Sequence, residues 1–348
     1  MTTTKLYLEQ NILDFIKENP SCSSMQILEN ANHEASLATI KRLLRQNVDN
    51  NNIIKSGVGK NTRYNISISY QVLYPVNVED YFKKEIDERI ILKAFNFEIC
   101  EQLQSLAVFT DAELDKLQAL QTIFLNNTKD LEIAIYQKEL QRLAIDLSWK
   151  SSQIEGNTYS LLETERLLVD KEFAVGKTKE EAIMLLNHKI VIDFIAENTD
   201  YLVNLSISKI EDIHSLLIKD LEIDKNIRKR QVGITGTNYR PIDNEFQIRE
   251  AVVSMCELVN SKSNIFEKAF LSLILLSYIQ AFNDGNKRTA RIVSNAIFFA
   301  NNYCPLSFRS VSTLDYKKAM LIFYEQNNIQ PFKKIFIEQV EFAVQTYF

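Results

Sequence analysis

A short polar segment between two long apolar runs constrains the fold of this chain more than any other feature. Residues 280–291 read Gln-Ala-Phe-Asn-Asp-Gly-Asn-Lys-Arg-Thr-Ala-Arg. The flanking runs, 266–279 and 292–300, are long and lack strict alternation, which favours buried helices over strands. We therefore expect two core helices that meet at one polar loop.

The loop and the start of the second helix carry groups suited to a polyphosphate. Gly285 allows a turn in which successive N–H groups point into one concavity. Asn286 is predicted to cap the second helix, which leaves its first N–H groups free to face an anion. Arg288 and Arg291 share a helix face, and Asp284 is a hard oxygen ligand for Mg²⁺ on a polyphosphate. The segment therefore predicts a nucleoside triphosphate with Mg²⁺ at a helix N-terminus.

The same segment resembles the signature of the Fic (Fic/Doc) family, His-x-Phe-x-Asp/Glu-Gly-Asn-Gly/Lys-Arg-x-x-Arg. The positions that match are Phe282, Asp284, Gly285, Asn286, Lys287, Arg288 and Arg291. The resemblance implies a protein adenylyltransferase, which moves AMP from ATP to a Ser, Thr or Tyr hydroxyl of a target protein. It implies catalytic roles for Asn286 and Arg288, with Asp284 as the metal ligand. It also implies a nucleotide-binding set of Gly285, Asn286, Lys287, Arg288 and Arg291. Without the resemblance, the segment would be an ordinary helix-loop-helix turn with a basic cluster.

The first position of the signature departs from the family. Gln280 stands where the family carries its catalytic histidine, and an amide has no proton-accepting state near neutral pH. Losing a general base typically costs about 10²–10⁴-fold in rate, so slow transfer is compatible with this change. His188 and His214 could replace the base, but both lie in apolar helical contexts that favour buried, neutral side chains.

Three functions therefore remain open at this stage. The first is a slow, autoinhibited adenylyltransferase. The second is an inactive nucleotide sensor coupled to a DNA-binding domain. The third is an enzyme that removes AMP from a modified protein, and the lack of a proton donor at Gln280 weighs against it.

A second segment, residues 151–156, reads Ser-Ser-Gln-Ile-Glu-Gly. It resembles the Fic inhibitory motif, Ser/Thr-x-x-x-Glu-Gly/Asn, through Ser151, Glu155 and Gly156. The resemblance implies that Glu155 pairs with Arg291 and occupies the cation meant for the γ-phosphate of ATP. The simpler alternative is a helix C-terminus, with Gly156 as the stop.

A third segment, residues 228–241, shows alternation at Val232 and Ile234 that suggests a short hairpin. It resembles the Fic flap, Arg-x-x-x-Val-x-Ile-x-Gly-x-x-Tyr-x-Pro. The resemblance implies that a target protein adds to the flap as an extended strand, with a target-binding set of Val232, Ile234, Gly236 and Tyr239. The alternative is a plain surface hairpin.

Residues 1–75 resemble a winged helix-turn-helix domain. The patterns predict helices at 6–17, 24–30 and 37–46, the last capped by Ser36, and then two strands with a glycine-containing turn between residues 53 and 66. Between residues 36 and 68 there are six Lys/Arg and one acidic residue. The predicted DNA-contacting set is Thr39, Lys41, Arg42 and Arg45 on the third helix, with Lys55, Lys60 and Arg63 on the wing. The partner would be duplex DNA, or another protein if this fold serves only for protein contacts.

The expected fold class is mainly α: a Fic-type helical bundle with a small β-hairpin flap, preceded by a winged helix-turn-helix domain. The predicted domains are 1–75, a helical linker at 76–147, and a Fic domain with its inhibitory helix at 148–348. Within the linker, the patterns predict helices at 79–101, 112–126 and 131–147.

Composition adds limits on environment and partners. The four cysteines are widely spaced, without a Cys-x-x-Cys pair, which fits reduced thiols rather than a disulfide framework or a zinc site. The longest apolar stretch is too short to cross a bilayer. We therefore expect a cytoplasmic protein that binds ATP and an unidentified target protein without a membrane partner, and a homodimer stays open.

Overall fold

The computed structural model of the chain describes residues 3–31 and 35–348, and of residues 3–6 the backbone alone. Its internal contacts divide the chain into two units, Met1–Pro75 and Val76–Phe348. Regular structure is almost entirely helical, in agreement with the predicted mainly α class. Within the described ranges, no helix is both long and apolar enough to cross a membrane.

The first unit contains three helices, a strand pair and a short helix. Their bounds are α1 Thr3–Glu18, α2 Ser24–Asn30, α3 Leu37–Asp49, β1 Ile53–Ser56, β2 Arg63–Ile66 and α4 Ile68–Leu73. Ser36 caps α3 by accepting a hydrogen bond from the backbone N–H of Thr39 at 3.2 Å. Helix α3 places Ile40, Leu43 and Leu44 in the core of this unit. The two strands are antiparallel, with Ile53 opposite Ile66.

The second unit is a helical bundle. Its helices are α5 Val78–Tyr81, α6 Ile99–Gln104, α7 Asp111–Lys129, α8 Ile133–Ile154, α9 Leu161–Val169, α10 Lys179–Glu197, α11 Ile207–Leu217, α12 Glu245–Ser261, α13 Ile265–Ile279, α14 Asn286–Ala300, α15 Thr313–Gln326 and α16 Gln330–Tyr347. From Ala269 to Ile279, α13 carries no charged residue and is buried on all sides. It packs on α12 and α14. The polar loop at 280–285 therefore joins two helices at the centre of the bundle.

The prediction of one helix over 79–101 was wrong. The region forms α5, a single 3₁₀ turn at Ile86–Glu88 and irregular backbone before α6. Some of its backbone groups bond to other elements: the N–H of Leu92 donates to the carbonyl of Glu325 at 2.7 Å, and the N–H of Asn96 donates to the hydroxyl of Tyr278 at 3.0 Å. Tertiary contacts with α15 and α13 thus override local helix propensity here.

Candidate active site

The loop at the centre of the site depends on a glycine. Gly285 has φ +79, and a Cβ added there would lie 3.2 Å from Cε1 of His214, so both backbone conformation and space require glycine. Helix α14 begins at Asn286 and has Gly285 as its N-cap residue, without a side-chain cap. The prediction that Asn286 caps this helix was therefore wrong. Its side chain turns back to the loop, where it accepts from the N–H of Phe282 at 2.8 Å and donates to the carbonyl of Phe282 at 2.7 Å.

Two arginines of α14 bring buried positive charge to this loop. Arg288 is 1% exposed and Arg291 is fully buried. Nη2 of Arg288 donates to Oδ2 of Asp284 at 2.9 Å. Three guanidinium nitrogens are buried without a hydrogen-bond partner among the described residues: Nε and Nη1 of Arg288, and Nη1 of Arg291. Because buried charged donors are costly when unpaired, this arrangement favours an anionic ligand at the N-terminus of α14.

Glu155 contacts two of the cations of α14. It is the C-cap residue of α8, and the left-handed Gly156 follows it with φ +103. Its Oε1 lies 3.1 Å from Nη2 of Arg291, and its Oε2 lies 3.3 Å from Nζ of Lys287. Burial alone would raise the pKa of Glu155, but the charges of Arg291 and Lys287 outweigh it and the pKa is lowered. Glu155 is therefore an anion at neutral pH.

Ser151 and His188 hold Arg291 from the other side. Nε of Arg291 donates to the hydroxyl of Ser151 at 2.8 Å, and Nη2 donates to the Ser151 carbonyl at 2.9 Å. Nε2 of His188 lies 2.7 Å from the same hydroxyl. Burial and the nearby arginines lower the pKa of His188 well below its usual value. The ring is thus neutral, and the serine oxygen can accept from Arg291 with either tautomer of the ring, because a hydroxyl oxygen has two lone pairs.

Gln280 ends α13 in a left-handed conformation, with φ 53. Its Nε2 donates to the carbonyl of Ser277 at 2.6 Å, and its Oε1 accepts from Nδ2 of Asn286 at 3.2 Å. The amide is therefore oriented by the ends of both core helices. His214 stacks on Phe282 at 3.7 Å, and burial lowers its pKa to about 4. His214 and His188 both lie outside the lining of the neighbouring cavity.

A cavity of about 680 Å³ opens beside these groups. The signature lines it with Gln280, Asn283, Asp284, Asn286 and Lys287. Other elements line it with Glu155, residues 232–236, Phe82, residues 84–86, Arg89 and the face of α15 that carries Tyr316, Met320 and Tyr324. Asp284 is the one acidic side chain of the signature, and its side chain is 60% exposed. No cluster of three or more His, Cys, Asp or Glu side chains suited to a metal occurs among the described residues. The donor set fits Mg²⁺ carried by phosphate oxygens, with Asp284 as a single carboxylate ligand.

The flap differs from its prediction. No strand forms between residues 228 and 241 in the described structure, so the expected hairpin is an extended loop. Its backbone is held instead by Arg228, which is 1% exposed. Arg228 donates from Nε to the carbonyl of Gln280 at 2.6 Å, from Nη1 to the carbonyl of Arg230 at 2.8 Å, and from Nη2 to the carbonyl of Ile242. One buried guanidinium thus replaces the cross-strand hydrogen bonds of a hairpin.

The flap residues fall into two groups. Val232, Ile234 and Gly236 line the cavity. Tyr239 is 2% exposed and stacks on Tyr278 at 5.1 Å. The predicted role of Tyr239 in contacting a target was therefore wrong for its side chain, because the ring anchors the flap in the core.

The predicted DNA-contacting residues lie in the first unit. Lys41, Arg42 and Arg45 are exposed on one side of α3, opposite its buried apolar residues. Thr39 is half-buried, and its hydroxyl lies 3.1 Å from that of Ser36. Lys55 on β1 and Lys60 in the turn between the strands are exposed. Arg63 on β2 is half-buried, and its Nη1 donates to the carbonyl of Thr62 at 3.0 Å.

The sequence patterns missed two parts of the site. The guanidinium of Arg291 lies 5.3 Å from the ring centre of Tyr316, a cation–π contact that only the placement of α15 creates. The cavity wall contributed by residues 82–89 carries no recognisable sequence motif. Periodicity alone predicts a helix there, whereas the observed backbone is largely irregular.

With this geometry in hand, comparison with known proteins identifies the domain. A sequence profile of the Fic/DOC family matches residues 204–298. Among curated proteins, the chain is 24% identical over 202 residues to protein adenylyltransferase fic-1 of Caenorhabditis elegans, a match that covers 56% of this chain and 39% of that protein. It is 27% identical over 215 residues to protein adenylyltransferase Fic of Nematostella vectensis, covering 57% and 47%. The chain thus matches less than half the length of these relatives.

Solved structures show the same fold. A structure of Fic-1 from C. elegans superposes with a TM-score of 0.60 at 17% identity, covering 99% of this chain and 98% of that one. A Fic domain containing signaling protein from Bacteroides thetaiotaomicron gives a TM-score of 0.55 at 17% identity, covering 66% and 96%. This chain therefore contains a Fic/DOC domain on a Fic-type fold, and it is homologous to Fic protein adenylyltransferases.

Proposed function

We propose that this chain is an ATP-binding, autoinhibited protein adenylyltransferase whose transfer step is slowed by Gln280. One observation carries the nucleotide part of the proposal: in the described part of the chain, buried nitrogens of Arg288 and Arg291 lack hydrogen-bond partners near the N-terminus of α14, which has no side-chain cap. A triphosphate would pair with these donors and with the free N–H groups of the helix. The homology to proteins named adenylyltransferases supports ATP as the nucleotide.

Each signature residue then has a role set by its contacts. Gly285 and the first N–H groups of α14 cradle phosphate oxygens, and Asn286 holds the loop in shape. Arg288 and Lys287 offset phosphate charge. Mg²⁺, held by phosphate oxygens and Asp284, would supply further charge compensation as the α–β phosphate bond breaks.

Autoinhibition rests on Glu155. Its carboxylate contacts both Arg291 and Lys287, so it competes with a phosphate for the same two cations. A triphosphate can enter the cavity, but the terminal phosphate then lacks Arg291 unless Glu155 moves away. Ser151 and His188 support the arrangement, because they fix the guanidinium of Arg291 in the orientation that Glu155 meets.

Gln280 limits the chemistry. Its amide can donate to or accept from a target hydroxyl, but it cannot remove the proton as that hydroxyl attacks the α-phosphorus. The bonds from Gln280 to Ser277 and Asn286 favour a second candidate, a nucleotide sensor without transfer, because they occupy both ends of the amide. Removal of AMP from a protein is the least supported candidate, since the leaving hydroxyl would need a proton from this position.

For the first unit, we propose a winged helix-turn-helix domain that binds duplex DNA. The exposed cations of α3 stand opposite its buried face, as in a helix that enters a major groove. The strand pair would form the wing, with Lys55 and Lys60 toward phosphates.

Calorimetry with ATP and Mg²⁺ tests the nucleotide proposal directly. Replacing Arg288 with alanine should weaken ATP binding by at least ~10-fold, because charge-assisted hydrogen bonds in a buried site are lost. The matched control is Arg166→Ala on α9, where the side chain is 66% exposed and pairs with Glu172. Equal ATP affinity in wild type and Arg288→Ala, with both proteins folded, would refute the site.

A further inference from the structure

The segment of residues 81–94 lies outside the Fic/DOC profile match at 204–298 and contributes one wall of the cavity through Phe82, Lys84, Glu85, Ile86 and Arg89. Side chains between Phe82 and Arg89 face the same space as the signature and the flap. The segment has little regular structure, so its position depends on contacts with other elements. One residue, Arg89, makes the decisive contacts.

Arg89 joins α15 to the flap. Its side chain is 3% exposed, and its Nη1 lies 3.1 Å from Oε1 of Glu325, which is 1% exposed. The other arm, Nη2, donates to the carbonyl of Gly236 in the flap at 2.8 Å. A rigid guanidinium fork suits this double task, because its two arms point in fixed directions toward two acceptors.

Residues on both sides of Arg89 in the sequence also bond to Glu325 and hold the ion pair in place. The hydroxyl of Tyr81 donates to Oε2 of Glu325, and the N–H of Leu92 donates to the backbone carbonyl of the same residue at 2.7 Å. Breaking a buried pair leaves an uncompensated charge, so Arg89 and Glu325 resist separation. The Gly236 carbonyl is therefore held by a strongly anchored group.

Further contacts tie only the second half of the flap to this segment. Nδ2 of Asn238 donates to Oδ1 of Asp87 at 2.8 Å. The N–H of Arg240 donates to the carbonyl of Lys93 at 3.0 Å, within a parallel bridge between Ala94 and Arg240. Among the described residues, the backbone groups of 232–235 make no hydrogen bond. The chain thus covers the flap from Gly236 onward and leaves 232–235 open.

We propose that Arg89 is a positioning residue for target binding. Through its pair with Glu325 it holds the Gly236 end of the flap, so that the open stretch 232–235 keeps a fixed register for strand addition. Four residues span about 13 Å of extended chain, which sets the length of target that can pair there. The occupant is a short extended segment of the target protein; this reading of the flap rests on the proposed function.

Hydrogen–deuterium exchange of the whole chain tests the proposal in the variant Arg89→Lys. Lysine keeps a positive charge opposite Glu325, but its single ammonium cannot bridge two acceptors as the fork does. The amides of Tyr239 and Arg240, which donate to the Thr237 hydroxyl and the Lys93 carbonyl, should exchange ~10-fold faster than in wild type, while peptides from α14 stay unchanged. The matched control is Lys83→Gln, a cation of the same segment whose side chain is 74% exposed and pairs with Asp80.

Unchanged flap exchange in a folded Arg89→Lys protein would overturn the proposal. If Arg89→Lys does not fold, the double variant Arg89→Gln, Glu325→Gln is used in the same exchange measurement, because it leaves no unpaired buried charge. Where transfer is measurable, the KM for the target should rise ~10-fold in the variant. Its affinity for ATP should stay within about twofold of the wild-type value. The exchange readout needs neither ATP nor transfer, so a failure of the proposed function would show in calorimetry and leave this test intact.

Discussion

Replacing Glu155 with glycine should release the cations that the carboxylate now occupies. Under the proposed function, an ATP phosphate competes with Glu155 for Arg291; the two side chains are 3.1 Å apart and Arg291 is fully buried. A hydrogen bond to a charged group contributes about 1.5–3 kcal/mol. Removing this competitor should therefore tighten ATP–Mg²⁺ binding about 10- to 100-fold. Calorimetry on wild type and Glu155→Gly measures the ratio.

The same substitution should lower stability when nucleotide is absent. Arg291 then lacks its carboxylate inside the protein, which costs on the order of 3 kcal/mol of unfolding free energy. A bound phosphate replaces the lost anion, so ATP should raise the Tm of Glu155→Gly more than that of wild type. Glu155→Gln is the control, because it keeps the size of the side chain while removing its charge.

The pH dependence of this contact follows from the lowered pKa of Glu155. A group whose folded pKa lies below its unfolded value stabilises the fold above the unfolded pKa and loses that contribution as pH falls through the folded pKa. The cations of Arg291 and Lys287 keep Glu155 ionised below its usual pKa of 4.5, despite burial. The affinity ratio between wild type and Glu155→Gly should therefore stay constant across neutral pH. Equal ATP affinity and equal stability in the two proteins would refute the reasoning and leave Glu155 as a helix-end residue.

Two further predictions concern the transfer step and the first unit. Adding Gln280→His to Glu155→Gly should restore a proton acceptor. Self-adenylylation with labelled ATP should then increase on the order of 10²-fold over Glu155→Gly alone. A double variant that binds ATP–Mg²⁺ but transfers nothing to itself or to a lysate would favour the sensing function. The full chain should bind duplex DNA at low salt. The double variant Lys41→Glu, Arg45→Glu should bind more weakly, and the slope of log affinity against log salt concentration should become shallower by about one per lost phosphate contact. Binding that is unchanged in that variant, with Lys129→Glu as the exposed-lysine control, would favour a protein-contact role for the first unit.

Much of the fold could be predicted from local patterns. The local pattern predicts α2 and, with the Ser36 cap, α3, and the long apolar run of α13 indicates a central helix before any contact is known. The helix over 79–101 and the flap hairpin could not be predicted in this way. In the first place a backbone N–H donates to the distant carbonyl of Glu325. In the second, the carbonyls of Arg230 and Ile242 accept from the side chain of Arg228 rather than from a facing strand.

The candidate site shows the same division. The signature residues are adjacent in the chain, so the sequence alone brings Asp284, Asn286 and Arg288 to one helix N-terminus. The exchange of histidine for Gln280 is likewise visible in the sequence, because it needs only the motif for comparison. Local periodicity also suffices to separate the cationic and apolar sides of α3.

Only the tertiary structure decided which groups meet across long separations. It brought Glu155 to Arg291 over 136 positions, and it brought Arg89 to Glu325 over 236. It also turned Asn286 back to Phe282 and buried Tyr239 against Tyr278. The physical reason is that a helix pattern depends on neighbours three or four residues apart, whereas burial and ion pairing depend on how whole helices pack.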